Sequence, residues 1–245
     1  MLTREQRCRF ERQIALPEIG ARGQQRLLAG RVLLVGAGGL GSPAGLYLAA
    51  AGVGTIGIVD DDTVELGNLQ RQVLHATADV GRLKTDSASE KMRAIHPAAV
   101  IRTYRERLTS RNASGIFKDY DFIIDAVDNV ATKWLIAKIC RRLGKPCSYG
   151  GITRYQGQTM TIYPGRTACL RCVFAVLPSK PGARIQGLLG VVTGVIGTIQ
   201  AAEAIKYLLD IGTPLTNRML TFDALEMNMR CVRVNRNPAC PLCRT

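Results

Sequence analysis

The sequence is poor in aromatic residues, in histidine and in acidic side chains. Aromatic residues make up 5% of its 245 residues and do not cluster with the arginines, which argues against a nucleic-acid surface of basic and stacking side chains. The two histidines, His75 and His96, have no evident catalytic partner and are expected to be structural, which argues against hydride transfer. The net charge of +14 predicts attraction to a polyanion such as a nucleotide.

Long apolar segments and a targeting signal are also lacking. The longest run without a charged residue, residues 185–202, contains glutamine, threonine and several glycines, so we expect a buried loop and helix there, not a membrane span. The N-terminal residues MLTREQRCRFERQ are too charged for a secretory signal, which predicts a cytoplasmic, reducing location.

The pattern of apolar residues predicts alternating strands and helices. Short apolar runs that end at glycine or aspartate indicate strands buried on both faces. The alternation predicts an α/β fold, a Rossmann-like doubly wound sheet of mainly parallel strands, continued by an antiparallel C-terminal part. We expect strands at 32–35, 55–60, within 120–129, at 146–152 and 218–222, and helices at 3–29, from residue 42, at 77–95, 134–143 and 190–209.

A glycine-rich segment follows the first predicted strand. GAGGLG at 36–41 fits the G-x-G-x-x-G pattern, in which the absence of Cβ atoms lets backbone amides approach an anion at a helix N-terminus. Asp60 and Asp62 close the next strand, where an acidic residue can bind a ribose hydroxyl. A tight turn without a ligand is the alternative, and both a dinucleotide and ATP fit the motif. The candidate glycines are Gly36, Gly38, Gly39 and Gly41.

Charged residues farther along the chain favour a triphosphate. The segment DDDTVELGNLQRQ, residues 60–72, concentrates carboxylates in a basic protein and contains Arg71; Lys84 follows a glycine turn, and Asp128 closes the third predicted strand. Doubly wound sheets bind ligands at the carboxyl ends of such strands. Two cations and an acid suit a magnesium-bound triphosphate better than a nicotinamide, although either cation alone would be an ordinary surface charge.

Four motifs carry a resemblance to a known family. GAGGLGS, DDDTVELGNLQRQ, VGRLKT and DAVDN, in this order, closely resemble the MoeB/ThiF/HesA family, the bacterial relatives of ubiquitin-activating enzymes, over almost the whole chain. The resemblance implies that Asp62 holds the ribose of ATP. It implies that Asn68 and Arg71 contact phosphates or order their loop, and that Lys84 binds phosphate.

The resemblance also implies a magnesium site and a contribution from a second chain. Asp128 would hold Mg²⁺, and Asn129 follows it in the same nucleotide-binding motif. RFERQ at 9–13 matches an N-terminal family motif whose second arginine, here Arg12, reaches the triphosphate of a neighbouring subunit. We therefore expect a homodimer with four catalytic residues, Arg12, Arg71, Lys84 and Asp128. One domain at 1–245 would comprise a helical arm (1–30), a nucleotide-binding half (31–150) and a carrier-binding, zinc-containing half (151–245).

Two Cys-x-x-Cys pairs lie far apart in the sequence. Four thiolates on two short turns suit tetrahedral zinc, and an ion with four sulfur ligands has no open position for water, so we expect a structural site. Neither pair resembles a redox motif, and a reducing compartment disfavours disulfides. Cys140 and Cys147 lack metal-binding spacing and are expected to be buried. The predicted zinc ligands are Cys169, Cys172, Cys240 and Cys243.

The family resemblance implies ATP-dependent adenylation of the C-terminal Gly-Gly carboxylate of a ubiquitin-like β-grasp sulfur carrier, with release of pyrophosphate. Positioned cations and Mg²⁺ would stabilise the leaving group. NLQRQVLHATADVGRLK is nearer to MoeB than to ThiF, so molybdopterin biosynthesis is the expected pathway, with a thiamine-type or other carrier as the alternative. An NAD-linked oxidoreductase and a non-catalytic nucleotide-binding scaffold are the alternatives of a different class.

One stretch departs from the family pattern. Many relatives carry a cysteine in the loop after the first Cys pair, where it binds the carrier covalently, whereas residues 173–192 contain none. We therefore expect no covalent carrier intermediate through this loop. The sequence ends two residues after Cys243, so we expect a separate sulfur donor protein. We expect neither a membrane nor a nucleic-acid partner.

Overall fold

One sheet forms the centre of the fold. The computed structural model describes residues 1–174 and 187–244, and within them eight strands hydrogen-bond in a single sheet. In chain order they are β1 (Arg31–Val35), β2 (Thr55–Val59), β3 (Val100–Tyr104), β4 (Phe122–Asp125), β5 (Cys147–Thr153), β6 (Gln156–Ile162), β7 (Arg218–Asp223) and β8 (Asn228–Arg233). Their order across the sheet is β3-β2-β1-β4-β5-β6-β7-β8.

Helices cover both faces of this sheet. The 3₁₀ turns Leu66–Asn68 and Thr77–Asp79 lie between β2 and the helix that follows it. The α-helices are α1 (Arg4–Arg9), α2 (Glu11–Ile14), α3 (Gly20–Ala29), α4 (Gly41–Ala50), α5 (Lys84–Ile95), α6 (Ala113–Phe117), α7 (Val130–Leu143), α8 (Leu170–Val173), α9 (Gly190–Leu209) and α10 (Pro241–Arg244).

The sheet changes from parallel to antiparallel at β5. The pairs β3–β2, β2–β1, β1–β4 and β4–β5 are parallel. The pairs β5–β6, β6–β7 and β7–β8 are antiparallel. This mixed sheet with its helices confirms the predicted α/β class. Residue 150, the predicted end of the nucleotide-binding half, lies inside β5.

Successive residues of β1 alternate between two apolar cores. Val32 and Leu34 pack with α4, α5 and α9 on one face, whereas Leu33 and Val35 pack with α6, α7 and α8 on the other. Because both faces are covered, the strand reads as a continuous apolar run. The apolar helix α9 contributes to the first core, as predicted, and no helix in the described part of the chain has the length and apolarity of a membrane span.

Three predictions of local structure were wrong. Residues 3–29 form three helices instead of one: Phe10 leaves the helical conformation between α1 and α2, and Pro17 and Gly20, whose φ is +56°, lie at the break before α3. The helix predicted at 77–95 begins at Lys84, since a 3₁₀ turn and Gly81, with φ +87°, precede it. Strand β3 was missed because it lies at the edge of the sheet, where its exposed Arg102 breaks the apolar pattern.

Candidate active site

The chain changes its direction across the sheet next to β1. From β1 it passes through α4 to β2 and through α5 to β3, and it then returns to β4 on the other side of β1. In doubly wound sheets a crevice opens at this point beyond the carboxyl ends of the strands, and ligands bind there. The segments that follow β1 and β4, with the glycine loop at 36–41 and Asp128, lie at this edge.

Two of the loop glycines are required by the fold itself. A Cβ atom on Gly36, whose φ is +103°, would stand 2.8 Å from the carbonyl oxygen of Ala126, and a Cβ atom on Gly41 would overlap the carbonyl oxygen of Gly36. Both neighbours are backbone atoms, so a side-chain rotation cannot relieve the contact. A Cβ atom on Gly39 would stand 3.0 Å from the side chain of Thr193 on α9.

Gly38 has more room than these positions. The atom nearest to a Cβ on Gly38 would be Nε2 of Gln72, at 3.6 Å, an ordinary van der Waals distance. The backbone amides of Gly38 and Gly39 have no hydrogen-bond acceptor among the described residues, and they precede the N-terminus of α4. Unpaired amides at a helix N-terminus are typical of an anion-binding loop.

Ala37, inside the loop, is held on both sides. The carboxylate of Asp60 accepts hydrogen bonds from the amides of Ala37 (2.8 Å) and Asp62 (2.9 Å). The His75 ring lies 3.0 Å from the Ala37 carbonyl oxygen through Nε2, which must carry the hydrogen, and 2.8 Å from Oγ of Ser87 through Nδ1. Burial raises the pKa of Asp60 and lowers the pKa of His75. His75 is therefore structural, as predicted, and it fixes the loop.

Lys84 and Asp62 form an ion pair beside the loop. Nζ of Lys84 lies 2.9 Å from Oδ2 of Asp62, and the backbone amide of Lys84 donates to the carbonyl of Asp62 at 2.9 Å. The lysine side chain is 7% exposed and the aspartate side chain 68%. The fold thus fixes the ammonium group of Lys84 next to a carboxylate that faces solvent. This ammonium group has three N–H donors, and an approaching phosphate can accept from those that Asp62 does not use.

The connection between β2 and α5 carries three more polar side chains. Oδ1 of Asn68 and Oε1 of Gln72 are buried without a donor among the described residues. Nη1 of Arg71 donates to the carbonyl of Gly67 at 3.0 Å, so its guanidinium folds back on its own turn. Gln72, in the same connection, lies against the glycine loop. This contact was not predicted from the sequence.

Asp128 and Asn129 begin α7. Asp128 is exposed, and the side chain of Asn129 caps the helix by accepting the amide hydrogen of Thr132 at 2.9 Å. This N-cap fixes the backbone immediately after Asp128. The exposed carboxylate therefore stands at the crevice on an ordered helix terminus.

A buried ion pair that was not predicted from the sequence lies next to this terminus. Nζ of Lys133 on α7 lies 3.0 Å from Oδ1 of Asp125, the last residue of β4, and 2.6 Å from the carbonyl oxygen of Gly150. Burial raises the pKa of Asp125, and Lys133 lowers it. The same carboxylate accepts from the amide of Val127 at 3.3 Å, which braces the chain leading to Asp128. The available signal was an aspartate that ends a buried apolar strand.

Arg12 lies at the opposite end of the sheet from the glycine loop. It is exposed on α2, and its neighbour Gln13 donates to the carbonyl of Ala51, just beyond the C-terminus of α4, at 2.9 Å. The glycine loop stands at the other end of this ten-residue helix, about 15 Å away. The fold of one chain therefore does not bring Arg12 to the other predicted site residues.

The four cysteines of the two Cys-x-x-Cys pairs meet. The Sγ–Sγ distances are 3.7 Å for Cys169–Cys172, 3.6 Å for Cys169–Cys240 and 3.7 Å for Cys172–Cys243. Four sulfurs at about 2.3 Å from a zinc ion would stand about 3.8 Å apart in a tetrahedron, so the spacing fits. The amide of Asn237 donates to Sγ of Cys172 at 3.4 Å, a contact that favours the thiolate form. The cluster could hold one metal ion.

The other cysteines lie apart from this cluster. Cys140 and Cys147 are buried, as predicted, and Cys8 and Cys231 are exposed. Of the stretch without cysteine at 173–192, residues 175–186 lie outside the described residues, so the expectation of no covalent carrier intermediate there stays a prediction.

A sheet whose strands are parallel around the switch point, with a glycine loop, a lysine and carboxylates at that point, is typical of a nucleotide-binding enzyme. The chain belongs to the ThiF family, whose model matches residues 10–242. It is 43% identical to the sulfur carrier protein adenylyltransferase of Thermus thermophilus, over 98% of this chain and 92% of that protein. It is also 43% identical to the SAMP-activating enzyme E1 of Haloferax volcanii, over 96% and 88% of the two chains.

Solved structures share the fold at lower identity. The crystal structure of Escherichia coli MccB with MccA-N7isoASN matches with a TM-score of 0.85, over 98% of this chain and 75% of that one, at 21% identity. The structure of the same protein with ATP matches with a TM-score of 0.82, over 96% and 74%, at 23% identity. The family and the enzyme class that the sequence predicts, an adenylyltransferase, are confirmed.

Proposed function

We propose that the enzyme uses ATP to adenylate the C-terminal Gly-Gly carboxylate of a ubiquitin-like sulfur carrier protein and releases pyrophosphate. The observation that carries this proposal is the crevice. The amides of Gly38 and Gly39 have no acceptor among the described residues, and the Asp60 carboxylate joins the neighbouring amide of Ala37 to the amide of Asp62, the ion-pair partner of Lys84. The Thermus thermophilus relative, named for a sulfur carrier protein, supports the choice of substrate.

The triphosphate binds the amides of Gly38 and Gly39 at the N-terminus of α4, and the ammonium group of Lys84 offsets its charge. The ribose binds Asp62, because amides already occupy both carboxylate oxygens of Asp60. Asp60 acts at the nucleotide through the loop that it holds in place.

Asn68 and Arg71 contact the phosphates or order the loop around them. The guanidinium of Arg71 reaches a phosphate by leaving the carbonyl of Gly67, a single hydrogen bond on the surface. A bidentate contact between the guanidinium and a charged phosphate is stronger than this single hydrogen bond to a neutral carbonyl, so the exchange is favourable.

Asp128 holds Mg²⁺ together with the nucleotide, and Asn129 positions it through the N-cap of α7. An exposed carboxylate at the crevice fits an ion that prefers oxygen ligands and shares them with phosphates. When bound, the ion stabilises charge on the leaving pyrophosphate. The carrier carboxylate attacks the α-phosphorus in line, and the bond to pyrophosphate breaks as the new P–O bond forms. Because this carboxylate is already ionised at neutral pH, the chain needs no general base.

A second subunit completes the site in this proposal. Arg12 lies about one helix length from the glycine loop of its own chain, and it is exposed and available to another chain. A homodimer with two-fold symmetry would present each Arg12 to the partner's triphosphate.

The carrier and the zinc site belong to the C-terminal half. The proposed pathway is molybdopterin biosynthesis, with a thiamine-type or other sulfur carrier as the alternative and a separate protein as the sulfur donor.

The cysteine cluster holds a structural zinc ion, because its four sulfurs leave no position for a substrate. Zinc there ties the chain after β8 to the helix α8.

Carrier-dependent ATP–pyrophosphate exchange tests the proposal. The enzyme is assayed against Gly-Gly-terminated carriers from the same organism, and each is matched by a variant that lacks the two terminal glycines. Exchange with one intact carrier and none with its truncated form is expected. Exchange that is equal with and without the terminal glycines would refute the proposal, and binding of NAD in place of ATP would favour the oxidoreductase.

A further inference from the structure

Gln72 is a buried amide side chain that the protein does not satisfy. It is 4% exposed, and its Oε1 has no donor among the described residues. An unpaired buried carbonyl is destabilising, and an apolar side chain of the same shape would avoid that cost. No described residue accepts a hydrogen bond from its Nε2 either, so the amide side chain adds no hydrogen bond to the fold and its donor is left for a ligand.

The amide is fixed against the glycine loop. The backbone amide of Gln72 donates to the carbonyl of Asn68 at 3.0 Å, and the amide of His75 donates to the carbonyl of Gln72 at 3.0 Å. The His75 ring in turn binds the carbonyl of Ala37 in the loop. These contacts set the position of Gln72 relative to the loop before any ligand is present.

The end of the side chain lies beside Gly38. Apart from Gly38 and its two chain neighbours, its Nε2 is the one atom of the described residues within 4 Å of the place where a Cβ of Gly38 would stand, at 3.6 Å. The amides of Gly38 and Gly39, at the same place, lack an acceptor in the described part of the chain. The charged neighbour Arg71 is directed to Gly67 and His75 is bound to Ala37, whereas Nε2 of Gln72 lies beside Gly38.

We propose that Gln72 is a ligand-binding residue whose Nε2–H donates to a phosphate oxygen held on the amides of Gly38 and Gly39. The identity of the ligand as ATP rests on the proposed function. The opposite orientation of the amide would turn its carbonyl oxygen toward the anion, which repels it. A neutral donor here adds a hydrogen bond to the phosphate without adding to the charge of Lys84.

The variants Gln72→Leu and Gln72→Glu test this assignment in the full-length protein. Calorimetry measures binding of ATP, adenosine and inorganic tripolyphosphate, and thermal unfolding measures the stability of the free protein. For Gln72→Leu we expect an unfolding temperature at or above that of the wild type and an ATP Kd raised about 10- to 100-fold, the range for a hydrogen bond to a charged group. Adenosine affinity should be unchanged, and Gln72→Glu should bind ATP more weakly still.

Three results would overturn the assignment. ATP affinity of Gln72→Leu within twofold of the wild type would exclude the contact, and a joint loss of stability and adenosine affinity would make Gln72 a structural residue. A wild-type protein that binds tripolyphosphate but not ATP would refute the proposed function alone, because the same variants then test the phosphate contact directly. A wild type that binds neither would refute both.

Discussion

Replacing Gly38 with alanine tests whether the glycine loop binds phosphate, because the structure has room for the added methyl group. A Cβ at this position stands 3.6 Å from its nearest neighbour, Nε2 of Gln72. The free protein should therefore fold normally, with a free energy of unfolding within about 1 kcal/mol of the wild type. The methyl group would nevertheless occupy space between the side-chain amide of Gln72 and the proposed position of a phosphate on the loop.

The matched control is alanine at Gly36. Its Cβ would stand 2.8 Å from a backbone carbonyl oxygen, and its φ is +103°. The left-handed conformation costs an alanine about 1–2 kcal/mol and the forced contact about 1–3 kcal/mol. The sum is about 2–5 kcal/mol, which lowers the unfolding temperature of a protein of this size by roughly 4–20 °C.

The assay combines urea unfolding of the free proteins with calorimetric titration of ATP in the presence of Mg²⁺. Gly38→Ala should keep its stability and lose at least about tenfold in ATP affinity, the equivalent of 1.4 kcal/mol. Gly36→Ala should lose stability first. If Gly38→Ala binds ATP as the wild type does, the phosphates do not lie on these amides and the reasoning fails.

Three further predictions concern the second subunit, the metal and acid stability. Co-expressed Arg12→Ala and Asp128→Ala chains should recover about a quarter of wild-type exchange activity, because half of the dimers are mixed and one of their two sites is intact. Elemental analysis should find about one zinc per chain, and Cys240→Ser should lower the unfolding temperature. Asp79→Asn should flatten the fall in the free energy of unfolding between pH 4 and pH 2, measured by urea unfolding.

The last of these follows from the sign of a pKa shift. Burial opposes ionisation of Asp79, but hydrogen bonds from Ala76, Ser87 and Lys91 outweigh it and lower its pKa from 3.8 to about 2. The carboxylate therefore stabilises the fold above its unfolded pKa, and this contribution is lost as the pH falls toward 2. Equal pH profiles of the wild type and Asp79→Asn would contradict the role of Asp79 in acid stability. Mixed dimers without recovered activity would contradict the shared site, and a metal-free protein of full stability would contradict the structural zinc.

Features coded by neighbouring residues were predictable from the sequence. The strand, glycine loop and helix around residue 36 follow from an apolar run, residues without Cβ atoms and helical periodicity, and the structure contains each of them. The Cys-x-x-Cys spacing likewise predicted that the two pairs form one metal site, and the structure brings the four sulfurs together, while zinc itself stays a prediction. The edge strand β3 was missed because it buries one face, so its apolar signal is weak.

Features that depend on distant contacts were not predictable. Lys133 reads as a helix surface charge until the fold places it on Asp125, and Gln72 reads as an ordinary polar loop residue until Gly38 is brought beside it. The separation of Arg12 from the glycine loop likewise appears only once α4 stands between them. Local pattern specifies which groups the site contains, and the tertiary fold determines which of them meet.

Analysis of the products most directly tests the central claim that the crevice transfers AMP to a carrier carboxylate. The enzyme, ATP, Mg²⁺ and a Gly-Gly-terminated carrier are incubated together, the carrier is examined by intact-mass spectrometry, and the nucleotides are separated by chromatography. The account predicts a carrier that has gained AMP and an equal amount of pyrophosphate. ADP and phosphate as products, or AMP formed equally without a carrier, would contradict it.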